Sequence, residues 1–134
     1  MHATGTIIKA RVNRFPFIYH YGTVLQIKGV AHVVHFSPRG YNLEGGSLFI
    51  DTIAQYTQTR KIVSTHETNL DTKKILTAIE PYKKQKFNII TNNCEHFAYN
   101  LHTGNAISPQ LAKYSLIIVL LILVTTLIIN NKIK

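Results

Sequence analysis

The stretch "YSLIIVLLILVTTLII", residues 114–129, contains no charged side chain and no polar stripe at helical spacing. A helix that is apolar on every face must be surrounded, either by a large protein or by lipid. The chain has 134 residues, of which 113 precede this run, enough for one small domain but too few to enclose such a helix. The part from Leu116 to Ile129 would span about 21 Å as a helix, short of a hydrocarbon core of about 30 Å. Lys113 and Lys132 would lie about 28 Å apart, and both can snorkel to the headgroups. Tyr114 falls at the boundary, where interfacial aromatics collect. The expectation is a single-pass tail anchor over residues 114–131, a linker over 108–113 and one folded domain over 1–107. With few residues after the run, insertion would follow synthesis and leave the domain on the cytosolic side. The opening "MHATGTIIKARVNRFPF" carries charges and lacks the apolar region of a signal peptide.

Hydrophobic residues make up 46% of the chain, which is compatible with a packed core rather than a disordered segment. A single cysteine excludes an internal disulfide framework. The formal net charge is +9, and of fifteen Lys and Arg all but Lys132 and Lys134 precede the apolar run, against six acidic residues. A basic domain next to a membrane segment is suited to anionic headgroups. Nucleic-acid binding would rest on charge and tyrosines alone and is not expected. The cluster "KKQK", Lys83 to Lys86, reads as a solvated face that could also attract lipid phosphates.

The domain reads as α+β. "TGTIIKARV" has strand character, and "FIYHYGTVLQI" and "VAHVVHF" form β-branched and aromatic runs separated by "KG", the pattern of a hairpin. "SPRGYNLEGGS" is a loop, "LFIDTIAQYT" fits helix or strand equally, and "KIVSTHE" is a further strand. "LDTKKILTAIEPYKKQ" has helical spacing limited by Pro81, and "FNIIT" extends the chain into the next element. "NNCEHFAYNLHTG" predicts a helix capped by Asn92 or Asn93 and ended by Gly104. No zinc-type spacing of Cys and His occurs, and no metal or organic cofactor is expected.

The lone cysteine, Cys94, falls in the first turn of that last helix, where exposed N–H groups and the helix dipole favour a thiolate and could hold an oxyanion. His96 lies about 200° around the axis from Cys94, so it reads as a structural histidine, and Glu95 as an electrostatic aid to the helix start. A base must come from elsewhere, and the hairpin offers His20, His32 and His35. A two-residue Lys28-Gly29 turn puts His35 on the face of His20, about 7–8 Å away on the diagonal. A three-residue loop shifts the register by one and substitutes His32.

Together these residues resemble the lecithin:retinol acyltransferase-like family, which includes the H-Ras-like phospholipase/acyltransferases. "NCEHF" is the most specific match, "YHYGTVL" resembles the first histidine strand and "VVHFSP" the second; the resemblance covers about residues 4–104. It implies a permuted papain-like fold, in which a small antiparallel sheet packs on the helix bearing the nucleophilic cysteine. It implies Cys94 as nucleophile, His20 as general base and His35 as the histidine that orients it, although the family's usual spacing selects His32. The implied activity is a membrane-anchored phospholipase A or acyltransferase working through an acyl-thioester on Cys94, with a phospholipid as substrate. A thiol peptidase or amidase using the same pair is the alternative within enzymes. The picornaviral H-box/NC proteins resemble the same pattern, so a membrane-tethered module without catalysis is the alternative outside them.

Overall fold

The computed structural model describes residues 2–38 and 47–132. The elements in order are β1 (Ile7–Val12), β2 (Phe15–Ile27), β3 (Val30–Ser37), β4 (Ser47–Thr52), α1 (Ile53–Thr57), β5 (Arg60–His66), α2 (Thr72–Ile79), a 3₁₀ segment (Glu80–Lys84), α3 (Cys94–Thr103) and α4 (Pro109–Lys132). The architecture is α+β, with a five-stranded sheet in the order β4-β3-β2-β1-β5 and antiparallel pairing throughout.

The turn at Lys28-Gly29 is the two-residue form. Ile27 pairs with Val30, and the two turn residues have φ of 49° and 79°, the backbone of a type I′ hairpin. This register runs through the whole hairpin. The stretch "LFIDTIAQYT", compatible with helix or strand as a sequence, contains both: β4 ends at Thr52, whose side chain caps α1 in a reciprocal pair with Gln55. Most of the "SPRGYNLEGGS" loop lies outside the described residues. "FNIIT" does not extend the chain. It folds back in a tight turn, with a bridge between Asn88 and Asn92 and the Asn88 side chain accepting from the N–H of Ile90 and Thr91.

Two apolar clusters lie on the two faces of the sheet. Leu25, Val34 and Phe36 pack with Ile75, Ile79, Tyr82, Phe87, Phe97 and Leu101 from the helical side. Ile8, Ala10, Val24 and Val33 pack with Tyr56 of α1 on the other. The period of two in β2 and β3 divides their side chains between these clusters, and the odd-numbered residues Thr23 and Leu25 face α3.

The segment 108–113 is not an extended linker. Pro109 opens α4, which continues as one helix to Lys132. Within its span Pro109–Asn130 the most apolar 18 residues have mean hydropathy 2.5 and are 0% buried. At 22 residues it would be about 33 Å long, enough to cross a hydrocarbon core of about 30 Å. By length and composition this helix can cross a membrane.

Candidate active site

β2 has a bare hydrogen-bonding edge. Its pairing with β3 covers Thr23 to Ile27, while its pairing with β1 continues past Ala10↔His20 to Arg11↔Tyr19. In an antiparallel ladder alternate residues direct their N–H and C=O to opposite neighbours. The main chain of His20 therefore serves β1, and that of Tyr19 and Tyr21 faces the gap that β3 has vacated. The gap is filled by the starts of α3 and α4. The Cys94 Sγ lies 3.9 Å from the Tyr19 carbonyl oxygen and receives the Tyr21 N–H. The Gln110 Oε1 accepts from the Tyr19 N–H at 3.0 Å, and the Tyr114 hydroxyl donates to the Phe17 carbonyl at 2.5 Å. The thiol thus rests on the backbone on either side of His20.

Of the two caps the sequence allows, Asn92 and Asn93, the start of α3 uses Asn93. Its side chain accepts from the N–H of Glu95 at 2.9 Å and of His96 at 3.1 Å. Those two N–H groups, offered to an oxyanion by the sequence reading, are therefore engaged. His96 returns the contact, its Nδ1 accepting from the Asn93 N–H at 3.4 Å, so its role here is structural. Gly104 closes the helix in the left-handed conformation.

His20 and His35 meet on the Tyr56 side of the sheet. His20 Nε2 is 2.9 Å from His35 Nδ1, and His35 Nε2 is 2.9 Å from Asp51 Oδ2. His32 is on the other face and bonds only locally, to the Val30 carbonyl. The relay assigns its own protons. A carboxylate can only accept, so His35 carries hydrogen on Nε2 and a lone pair on Nδ1. That lone pair accepts from His20 Nε2–H, which leaves His20 Nδ1 unprotonated and able to act as a base. Tyr56 supports the pair: its ring is 5.8 Å from His20 and 5.1 Å from His35, and its hydroxyl donates to the His20 carbonyl at 3.2 Å. Phe49 stacks on His35 at 5.6 Å.

Burial dominates the electrostatics. It pushes the Cys94 thiol up to about 11, against the smaller pull of the Tyr21 N–H. It lowers His20 well below the usual imidazole range, aided by His35 and Arg60. It brings His35 down to about 4, although the Asp51 hydrogen bond acts in the opposite direction. At neutral pH the thiol is protonated and both imidazoles are neutral. The sequence reading expected the helix start to favour a thiolate. In the folded protein desolvation outweighs the dipole, because the cysteine is only 7% exposed.

Glu95 does more than assist a helix start. It is 2% exposed and accepts from the Ser108 hydroxyl at 2.5 Å and the Gln110 N–H at 2.9 Å. Ser108 in turn caps α4 through the Leu111 N–H. The carboxylate next to the thiol therefore holds the first turn of the apolar helix. Beside it, a cavity of about 750 Å³ is lined by Lys9, Tyr21, His66, Lys74, Tyr99 and His102, with no carboxylate lining it among the described residues. Among the described residues no group of three or more His, Cys, Asp or Glu is arranged to hold a metal ion.

Asp51, Tyr56 and Gln110 were not singled out by the sequence. Only Asp51 had a signal there, as the one charge in the apolar strand "LFIDT". No protein-family model matches the chain, and no curated protein matches it either.

Proposed function

We propose that this protein is a membrane-anchored thiol acyltransferase or phospholipase A of the lecithin:retinol acyltransferase-like type, with a permuted papain-like domain on the cytosolic side of the bilayer. The observation that carries the reading is the relay from Asp51 through His35 to His20, which ends in an unprotonated Nδ1 on the residue flanked by the two backbone contacts of Cys94. In this reading His20 takes the proton of Cys94 as the sulfur attacks an ester carbonyl of a glycerophospholipid. The ester C–O bond breaks, the imidazolium returns its proton to the departing lyso-lipid oxygen, and an acyl-thioester remains on Cys94. Water completes a hydrolysis; an alcohol, amine or second lyso-lipid completes a transfer. The Tyr21 N–H, already directed at the sulfur, is beside the developing oxyanion. The cationic lining of the adjacent cavity is compatible with the substrate's phosphate.

Tethering supports the same substrate class. Gln110 touches Tyr19, whose carbonyl touches the thiol, and the uncharged run begins at Tyr114, about 6 Å further along the helix. An ester in the membrane surface would meet the thiol at high effective concentration.

The test is intact-protein mass spectrometry after incubation with phosphatidylcholine vesicles. A hydroxylamine-labile acyl adduct that is absent from Cys94→Ala supports the reading; no adduct on the wild-type protein refutes it. A second reading, a membrane-tethered module without catalysis, is favoured by the burial and protonation of the resting thiol. It predicts no adduct and no lyso-lipid release.

A further inference from the structure

Two apolar tips flank Cys94 and neither belongs to the core. One is at the start of β2. Between Arg11↔Tyr19 and Val12↔Phe15 the register with β1 shifts, so residues 16–18 bulge out of the ladder. Pro16, which has no N–H to donate, fits such a bulge. The bulge leaves Phe17 79% exposed and Ile18 41%, with Phe15 49%. The other tip is the tight turn before α3, where Ile89 and Ile90 are 47% and 62% exposed. The Asn88 side chain fixes this turn by accepting from two of its N–H groups. Both tips connect to the thiol. The Ile89 carbonyl accepts from Asn93 Nδ2 at 2.9 Å, one residue from Cys94, and Phe17 is two residues from Tyr19, about 7 Å along the strand. Aromatic and branched side chains exposed together at tips beside one opening mark an interaction surface rather than core.

The occupant follows from α4. Tyr114, the first residue of the uncharged run, donates its hydroxyl to the carbonyl of Phe17 itself. The level at which the helix would enter the hydrocarbon is therefore the level of the Phe17 tip. We propose that Phe17 and Ile90, with Phe15, Ile18 and Ile89, form a second membrane contact that inserts into the leaflet crossed by α4 and holds the Cys94 opening against the lipid surface. A single helix leaves a domain free to rotate and tilt; further insertions on either side of Cys94 fix its orientation. Interfacial insertion of this kind reaches about 5–10 Å into the headgroup and acyl boundary. The proposal rests on α4 as a membrane span and is independent of the acyl-transfer chemistry.

The chain contains no tryptophan, so single tryptophans report without background. Full-length Phe17→Trp, Ile90→Trp, Leu121→Trp and Val30→Trp variants are reconstituted in phosphatidylcholine vesicles whose acyl chains are brominated either near the headgroup or near the chain end. Val30 is the control: it is 52% exposed at the start of β3, paired with Ile27 at the far end of β2, about 30 Å from Phe17. We expect blue-shifted emission and loss of intensity from the shallow bromines at positions 17 and 90, loss from the deep bromines at 121, and neither at 30. Quenching at 121 without quenching at 17 and 90 overturns the proposal and leaves the span standing. No quenching at 121 overturns the span and the proposal together. A blue shift at 17 and 90 that persists in detergent with a dimeric mass, without bromine quenching, assigns the tips to a second copy and also overturns it.

Discussion

Replacing Asp51 by Asn tests the proton assignment of the relay. Asn keeps the shape of Asp51 but presents both an acceptor and a donor. If the amide oxygen faces His35 Nε2, the tautomers survive and a charge-assisted bond becomes a neutral one. If the amide nitrogen faces it, both imidazoles invert and His20 Nδ1 carries hydrogen. The bond is 2.9 Å long, and the His35 side chain is 3% exposed against 30% for Asp51, so solvent screens it only from the carboxylate side. A hydrogen bond to a charged group contributes about 1.5–3 kcal/mol and a neutral one about 0.5–1.5 kcal/mol, so with the tautomers kept the loss is about 1–1.5 kcal/mol, roughly 5- to 12-fold in the rate of Cys94 acylation at about 1.4 kcal/mol per decade. Full inversion would approach the roughly 10⁴-fold loss seen when a triad carboxylate is replaced by its amide. The assay is the single-turnover rate of acyl-Cys94 formation against pH, with ¹⁵N chemical shifts of the His20 ring as a tautomer readout. His32→Gln, on the other sheet face, is the control and should stay within about twofold. A folded Asp51→Asn protein with the wild-type rate and an unchanged His20 tautomer would refute the relay.

Gly22→Ala places a Cβ 2.3 Å from Val33 Cγ1 and 3.4 Å from His35 Cβ, so β3 must shift; the expected loss is about 1–3 kcal/mol, read as a lower urea midpoint, and an unchanged midpoint contradicts the packing. His20 and His35 titrate below the free value of 6.5, so the unfolded chain binds more protons than the folded one between about pH 6.5 and 4. Stability is then full above pH 6.5 and falls as the pH drops through that window; a urea midpoint that is flat from pH 7.5 to 4.5 would count against buried neutral histidines. Glu95→Ala removes the acceptor of Ser108 and the Gln110 N–H, and should release the first turn of α4 from the domain, seen as faster amide exchange at residues 108–112. Equal protection in the variant would show that Gln110 and Tyr114 suffice to hold the helix on β2.

The elements that local chemistry decides were legible in the sequence. An uncharged apolar run reads as a span because nothing in a small domain can cover it. "KG" between two β-branched runs reads as a hairpin because glycine accepts positive φ without strain, but the sequence fits a two-residue turn or a three-residue loop, and the folded two-residue turn is what brings His35 rather than His32 to the face of His20. Asn93 and Gly104 bracket α3 through caps that need no tertiary partner. Contacts that depend on where distant segments meet were not legible. Asp51 reaches His35 only through the β3–β4 register, across residues that carry no pairing signal. The open edge of β2 exists because β3 departs at Thr23 while β1 continues, which no local pattern encodes. Residues 108–113 read as a linker because Pro109 and the polar Gln110 interrupt the apolar pattern, yet the buried Glu95 gives Ser108 and the Gln110 N–H a partner and residues 109–113 become helix. The protonation of Cys94 also needed the tertiary structure. The helix start, visible in the sequence, favours the thiolate, but burial opposes it, and how deeply a side chain is buried is set only when the segments around it pack.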